Sequence, residues 1–283
     1  STPKPSSAAS DVYKRQDECF AEGIDRFLRV CNVVKAFRNT RVLQISTRPF
    51  DFWSTMCNEG ELLEKFGIQL SPIPMPELTQ AMKDVKENSP EEIKEVTDYC
   101  REKMCIKVTP EQLDNVAALK IAMTRLGKKY GCNCGAIQCW NALQDEIGIM
   151  PCAANALCND EGFPIACETD IHGTITSVLV EAAAMGETRS FFADWTVRHP
   201  YNDNAELLQH CGPWPISIAK EKPTIDTPVA FDCSGSLMAQ AKDGEHISLV
   251  RFDGDNGEYS LLLGNAKTVD GPYTCLLYTS PSP

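Results

Sequence analysis

The sequence predicts an α/β fold, a Rossmann-like parallel-sheet domain followed by a mixed α+β domain with antiparallel strands that form part of a barrel. Three observations carry this expectation. Short, almost wholly apolar segments (Val42 to Ile45, Ile68 to Ile73, Gly135 to Cys139) alternate with amphipathic stretches, the pattern of parallel strands covered on both faces. Beyond about Glu161, short extended pieces separated by Gly254, Gly257, Gly264 and Gly271 take over. A chain of 283 residues suits one large domain or two ordinary ones.

The elements follow in order. From Asp17, the stretch DECFAEGIDRFLRVCNVVKAF spaces Phe20, Ile24, Phe27 and Leu28 by threes and fours, which predicts a helix. Val42 to Ile45 reads as a buried strand and leads into Thr47-Arg48-Pro49. Leu62, Leu63 and Phe66 mark a short helix stopped by Gly67, and Ile68 to Ile73 is a second strand that exits through Pro72, Pro74 and Pro76. Ser89-Pro90-Glu91-Glu92 and Thr109-Pro110-Glu111-Gln112 each place a capping hydroxyl before proline and an acid or amide, the signature of a helix start. The second of these helices carries Val116, Leu119, Met123 and Leu126 on one side and ends near Gly131. In the second unit, Phe163 to Ile171 is expected as a strand and Gly173 to Met185 as a helix. Phe191 to Val197, Val229 to Asp232, Ile247 to Phe252 and Tyr259 to Leu263 are expected as further strands. The expected organisation is a non-native or disordered leader over 1–16, a helical segment over 17–37, a middle α/β domain over 38–160, a partial carboxyl-terminal α+β domain over 161–274, and a non-native tail over 275–283. Both ends resemble translated adapter sequence.

Composition narrows the function classes. A formal net charge of −12 disfavours a nucleic-acid partner, which needs clustered Lys and Arg. No run of about eighteen apolar residues suggests a membrane span, so a cytoplasmic enzyme is expected. No G-x-G-x-x-G turn or Walker lysine follows the first strand, which argues against a dinucleotide or nucleotide site. The fourteen cysteines lie mostly in apolar contexts and read as buried free thiols. The closest group, Cys132, Cys134 and Cys139, lacks the second pair a zinc knuckle needs.

The chemistry concentrates in Cys167-Glu168-Thr169-Asp170-Ile171-His172-Gly173. On a strand, Glu168, Asp170 and His172 would share one face. Three ionisable groups beside an apolar strand must face water, neutralise one another or hold a cation. Asp170 would sit at the carboxyl end of a strand, where open α/β sheets bind ligands. Glu146 is another candidate, about two helical turns beyond a strand end and near the apolar run Ile147 to Met150; by itself it reads as a surface acid. His199 and His210 are the remaining candidates, in polar, turn-forming surroundings, whereas His246 reads as exposed. Two carboxylates and an imidazole would suit Mn²⁺ or another divalent cation, but spacing alone does not choose among Glu146, Glu168, Asp170, His172, His199 and His210.

These segments, together with Gln138-Cys139-Trp140, Pro151-Cys152 and His210-Cys211-Gly212-Pro213, resemble the L-fucose isomerase family, most closely its L-fucose/L-arabinose isomerase-like branch. The resemblance covers nearly everything between the two ends. It implies an Mn²⁺-dependent aldose–ketose isomerase working through a cis-enediol on a deoxyhexose or pentose such as L-fucose, D-arabinose or L-arabinose. It places the metal on Glu146, Asp170 and His210, with Glu146 and Asp170 also moving protons, and leaves open which acid does which step. Glu168 and His172 would orient the ligands, and Trp140, Arg198 or His199 would meet the sugar. Relatives of that type are three-domain subunits in homo-hexamers, so this chain would be a fragment lacking the amino-terminal domain. A non-catalytic sugar-binding α/β protein, or a metal-dependent epimerase or lyase, would fit the same scaffold.

Overall fold

Alternation along one five-residue strand organises the core. The computed structural model describes residues 18–227 and 232–271. In it β1 (Arg41–Ile45) turns Leu43 and Ile45 into the larger of two apolar clusters and Val42 into the smaller, all three fully buried. β2 (Gln69–Ile73) and β4 (Cys134–Ile137) flank β1, and β5 (Ile165–Ala166) adds beyond β4. Every pairing is parallel, in the order β2-β1-β4-β5. Such a sheet must be covered on both faces, and the helices do this.

Among the covering helices, the side-chain cap expected at Thr109 forms, whereas Ser89 makes no such cap and its hydroxyl accepts from Arg125 instead. α1 (Glu18–Arg38) and α2 (Glu59–Phe66) precede β2, and Gly67 ends α2 in the left-handed conformation. α3 (Met75–Asn88) and α4 (Pro90–Lys103) both carry proline in the first turn. α5 (Pro110–Tyr130) opens with a complete capping box, Thr109 accepting from the Gln112 N–H while the Gln112 side chain accepts from the Thr109 N–H. Leu113, Val116, Leu119, Met123 and Leu126 of α5 all enter the larger cluster. α6 (Ala142–Ile147), α7 (Cys152–Asp160) and α8 (Ile171–Ala183) follow β4 and β5, and Ile171, Ile175 and Val178 of α8 pack with Val42.

One expected helix forms, and one expected strand does not extend as far as its sequence suggests. The stripe on α1 forms as a helix, but none of its residues is buried within the described chain. Phe27 is 61% exposed, and α1 is tied to α8 by Asn32 and Arg29 donating to the Ala182 and Ala183 carbonyls. The strand expected over Phe163 to Ile171 is only two residues long. Ile165 and Ala166 pair with Gly135 and Ala136, after which Glu168 and Thr169 take positive φ (54° and 53°) and α8 starts at Ile171. Asp170 is the cause, because its carboxylate accepts the Gly173 N–H at 2.8 Å and so caps a helix rather than extending a strand. Glu168, Asp170 and His172 therefore do not alternate along one strand face, and the helix expected from Gly173 begins two residues earlier, at Ile171.

The remaining strands form small sheets, among the described residues separate from one another. β6 (Asp194–Arg198) pairs antiparallel with β7 (Glu206–Gln209), and β10 (His246–Asp255) with β11 (Glu258–Lys267). β3 (Cys105–Ile106) runs parallel to β8 (Thr224–Asp226), which pairs antiparallel with β9 (Ser236–Met238). The two chain ends expected to be foreign, and all but Asp232 of the strand expected over Val229 to Asp232, lie outside the described residues.

Leu119 sits fully buried at the centre of α5. Leu119→Ala is expected to lower the unfolding free energy by about 2–5 kcal/mol. Phe27→Ser on the exposed side of α1 is expected to change it by about 0.5 kcal/mol or less, both read from urea denaturation midpoints.

Candidate functional site

Beyond the carboxyl ends of β1, β4 and β5, three loops are stitched together. After β1, Ser46 takes a positive φ of 66° and its hydroxyl donates to the Gln138 side chain at 2.7 Å. After β5, the Thr169 N–H donates to the Ile137 carbonyl and its hydroxyl to the Thr47 carbonyl, both at 3.0 Å. A β-branched residue at positive φ costs about 1–3 kcal/mol, so these two bonds hold a strained turn in place.

That turn aims Glu168 inward. Its carboxylate is buried, with one oxygen 3.2 Å from the Cys139 thiol and the other 3.5 Å from Nε2 of His210. The Cys211 N–H donates to Nδ1 of His210 at 3.0 Å, which leaves the Nε2 proton facing Glu168. Cys139, Cys167 and Glu168 each offer a donor atom within 4.8 Å of the others. Cys152 and Cys211 extend the thiol cluster, their sulfurs 3.2 Å apart. The loop of residues 210–213 can lie this close to α7 because residue 212 is glycine; a Cβ there would fall 2.3 Å from Cys152 Cβ.

The surroundings of the two sulfurs favour neutral thiols, so a cation would have to displace their protons. Burial pushes the Cys139 thiol above its ordinary range, and hydrogen bonding with neighbouring thiols together with burial does the same to Cys167. Thiols in that state release protons when a metal takes their place. A buried carboxylate and two sulfurs fit a divalent ion of borderline softness, such as Zn²⁺ or Co²⁺, better than they fit Mg²⁺.

The residues singled out in the sequence divide. Glu168 and His210 come together. Asp170, next but one to Glu168, is buried and spends its carboxylate on the Gly173 N–H and on a two-pronged contact with Arg251. Glu146 is exposed on α6 and makes no hydrogen bond or ion pair among the described residues. His172 is buried in α8 with Nδ1 3.0 Å from Asp253 and its ring edge-on to Phe252, so it faces the β10–β11 hairpin; burial lowers its pKa. Arg198 pairs with Glu206 across the β6–β7 hairpin, and His199 accepts the Tyr201 N–H in the turn, so both are used locally. Trp140 is half-buried with its ring 5.8 Å from Phe52. His246 is exposed, as expected.

Relatives sharpen the picture. Over 267 residues the chain is 25% identical to a sulfoquinovose isomerase of Alkalicoccus urumqiensis, covering 93% of this chain and 59% of that protein. It is 24% identical over 268 residues to one from Priestia megaterium, with the same two shares, and 24% identical over 207 residues to one from a Clostridium species. The chain thus spans less than two thirds of the length of these curated relatives. No protein-family model matches it.

The thiol cluster is what the sequence concealed. The group noticed there was Cys132, Cys134 and Cys139, yet Cys132 and Cys134 turn to the carbonyls of Tyr130 and Arg41 while Cys139 joins Cys167. The available signal was position: Cys139 and Cys167 each follow a sheet strand, at the end where ligands gather.

The double duty of Asp170 can be separated. Asp170→Ala loses both the cap and the contact with Arg251, and is expected to lower the unfolding free energy by about 1–3 kcal/mol. Asp170→Asn keeps an acceptor for the Gly173 N–H and should lose less. Equal losses in urea titrations of the two variants would mean that the cap contributes nothing.

Proposed function

We propose that the chain is part of an aldose–ketose sugar isomerase whose reaction centre is the Glu168–His210 pair with its adjoining sulfurs. The observation that carries this reading is the buried Glu168 carboxylate held at a ligand-binding end of the sheet beside an imidazole and two thiols. The similarity to sulfoquinovose isomerases over 93% of the chain supports the reaction class.

The chemistry is an internal transfer. An open-chain aldose loses the hydrogen on C2 as a proton and gains one on C1, while the hydroxyl proton on O2 moves to O1; C1 is reduced and C2 oxidised, so no outside oxidant is needed. A carboxylate within reach of C2 takes the proton, and Glu168 is suited to that task because His210 fixes one of its oxygens. Asp170 is the second acid, available only when Arg251 gives it up. A divalent cation held by Glu168, Cys139 and Cys167, with His210 orienting the Glu168 carboxylate, would keep a position for the sugar, polarise the carbonyl and ease proton loss from the neighbouring carbon. The Mn²⁺ set that the family resemblance implies shares His210 with this cluster, but it needs Asp170 released from Arg251 and Glu146 drawn in from the surface of α6.

The sugars to offer first are sulfoquinovose, the substrate in the relatives' names, then L-fucose and the arabinoses that the resemblance implies. In deuterated water with Zn²⁺, Co²⁺ or Mn²⁺ supplied, the protein is expected to convert one of them to its ketose and to exchange hydrogen at C2. Glu168→Gln should lower the rate at least about a hundredfold, the usual share of a general base. Full activity in Glu168→Gln, or no turnover of any of these sugars with any of the three metals, contradicts the proposal.

A further inference from the structure

A cleft of about 420 Å³ opens next to the cluster, lined by Thr47, Arg48, Phe50, Trp53 and Gln138. It shares walls with the reaction centre, since the Thr47 carbonyl accepts from Thr169 and Gln138 is the residue before Cys139. Its rim is aromatic: Phe50 and Trp53 are 83% and 64% exposed, so both rings are open to a ligand entering the cleft. Arg48 is the one cation among the lining residues. Its guanidinium lies 4.5 Å from the centre of the Trp53 ring, and only Nη1 is engaged, donating to the carbonyls of Pro49 and Phe50. Among the described residues no carboxylate pairs with it. Arg251, the other guanidinium near the cluster, is already held by Asp170.

We propose that Arg48, stacked on Trp53 at the mouth of this cleft, reads an anionic group carried by the sugar at the end away from its carbonyl. This rests on the isomerase reading and narrows it to aldoses bearing a sulfonate, phosphate or similar group. A stacked guanidinium keeps its edge free for two parallel hydrogen bonds, the geometry that matches the oxygens of such an anion. The need for it follows from charge: a protein of net charge −12 repels an anionic sugar unless a local cation offsets the field. Aromatic faces beside the guanidinium suit the carbon-bound hydrogens of the sugar, and Gln138 and Thr47 supply hydrogen-bonding groups between the rim and the cluster.

The test is a titration of the full chain with sulfoquinovose, glucose 6-phosphate and glucose, followed by calorimetry or tryptophan fluorescence, on the parent protein, Arg48→Lys and Arg48→Gln. At least one anionic sugar is expected to bind about tenfold more tightly than glucose, and the tighter of the two identifies the group that is read. Arg48→Gln should erase that margin and Arg48→Lys keep part of it, with glucose binding almost unmoved in both. In the parent protein, added salt should weaken the charged sugars and spare glucose, a check that depends on no variant. Equal binding of charged and neutral sugars, binding of none, or a margin that survives Arg48→Gln overturns the proposal. The two readings fail separately. Arg48-dependent binding without exchange at C2 would sink the isomerase reading, and C2 exchange without discrimination by charge would sink this one.

Discussion

The left-handed turn at Glu168 and Thr169 is the constraint on which the site depends. Two residues that prefer negative φ are held at positive values by hydrogen bonds to the loops after β1 and β4, and Asp170 then locks the turn by capping α8. Without that turn the chain would run on as a strand and Glu168 would not meet His210. The strain is offset by bonds reaching into two other strand ends, so the parallel sheet and the site are parts of one assembly. This is where sheets of this type gather ligands, because strand ends converge there and helix starts leave N–H groups unpaired.

Much of the scaffold was legible in the sequence because it rests on local rules. An apolar run identified β1, proline marked the start of α4 and a capping box that of α5, and Gly67 closed α2. The misreading at 163–171 has a physical source. Pro164 to Ala166 has strand-like apolarity, while the competing signal, a single aspartate able to cap a helix, acts over only three residues. A period-two pattern and a cap three residues from its donor look alike in E-T-D-I-H-G until backbone angles are known.

The site was half legible for a similar reason. Glu168 and His210 stood out as ionisable residues in apolar or turn-rich settings, but no rule of spacing joins positions 42 residues apart, and it is the tertiary fold that brings them to 3.5 Å. The sulfurs were harder still, because a buried cysteine looks like any small apolar residue until its neighbours are known. Arg48 escaped notice in the sequence because an arginine before proline in a loop carries no periodic signal; its meaning comes from the unpaired guanidinium edge and the ring beneath it.

The proposed divalent-cation site of Glu168 and the two thiols, with His210 orienting the carboxylate, can be tested by titrating the protein with Co²⁺ and following its absorption. One ion per chain is expected, with sulfur-to-cobalt charge-transfer bands that vanish in a Cys139→Ser, Cys167→Ser double variant. Binding should weaken at least about tenfold in His210→Gln and stay unchanged in Glu146→Gln. Binding without those bands that follows Glu146 instead, or no binding at all, would contradict that site.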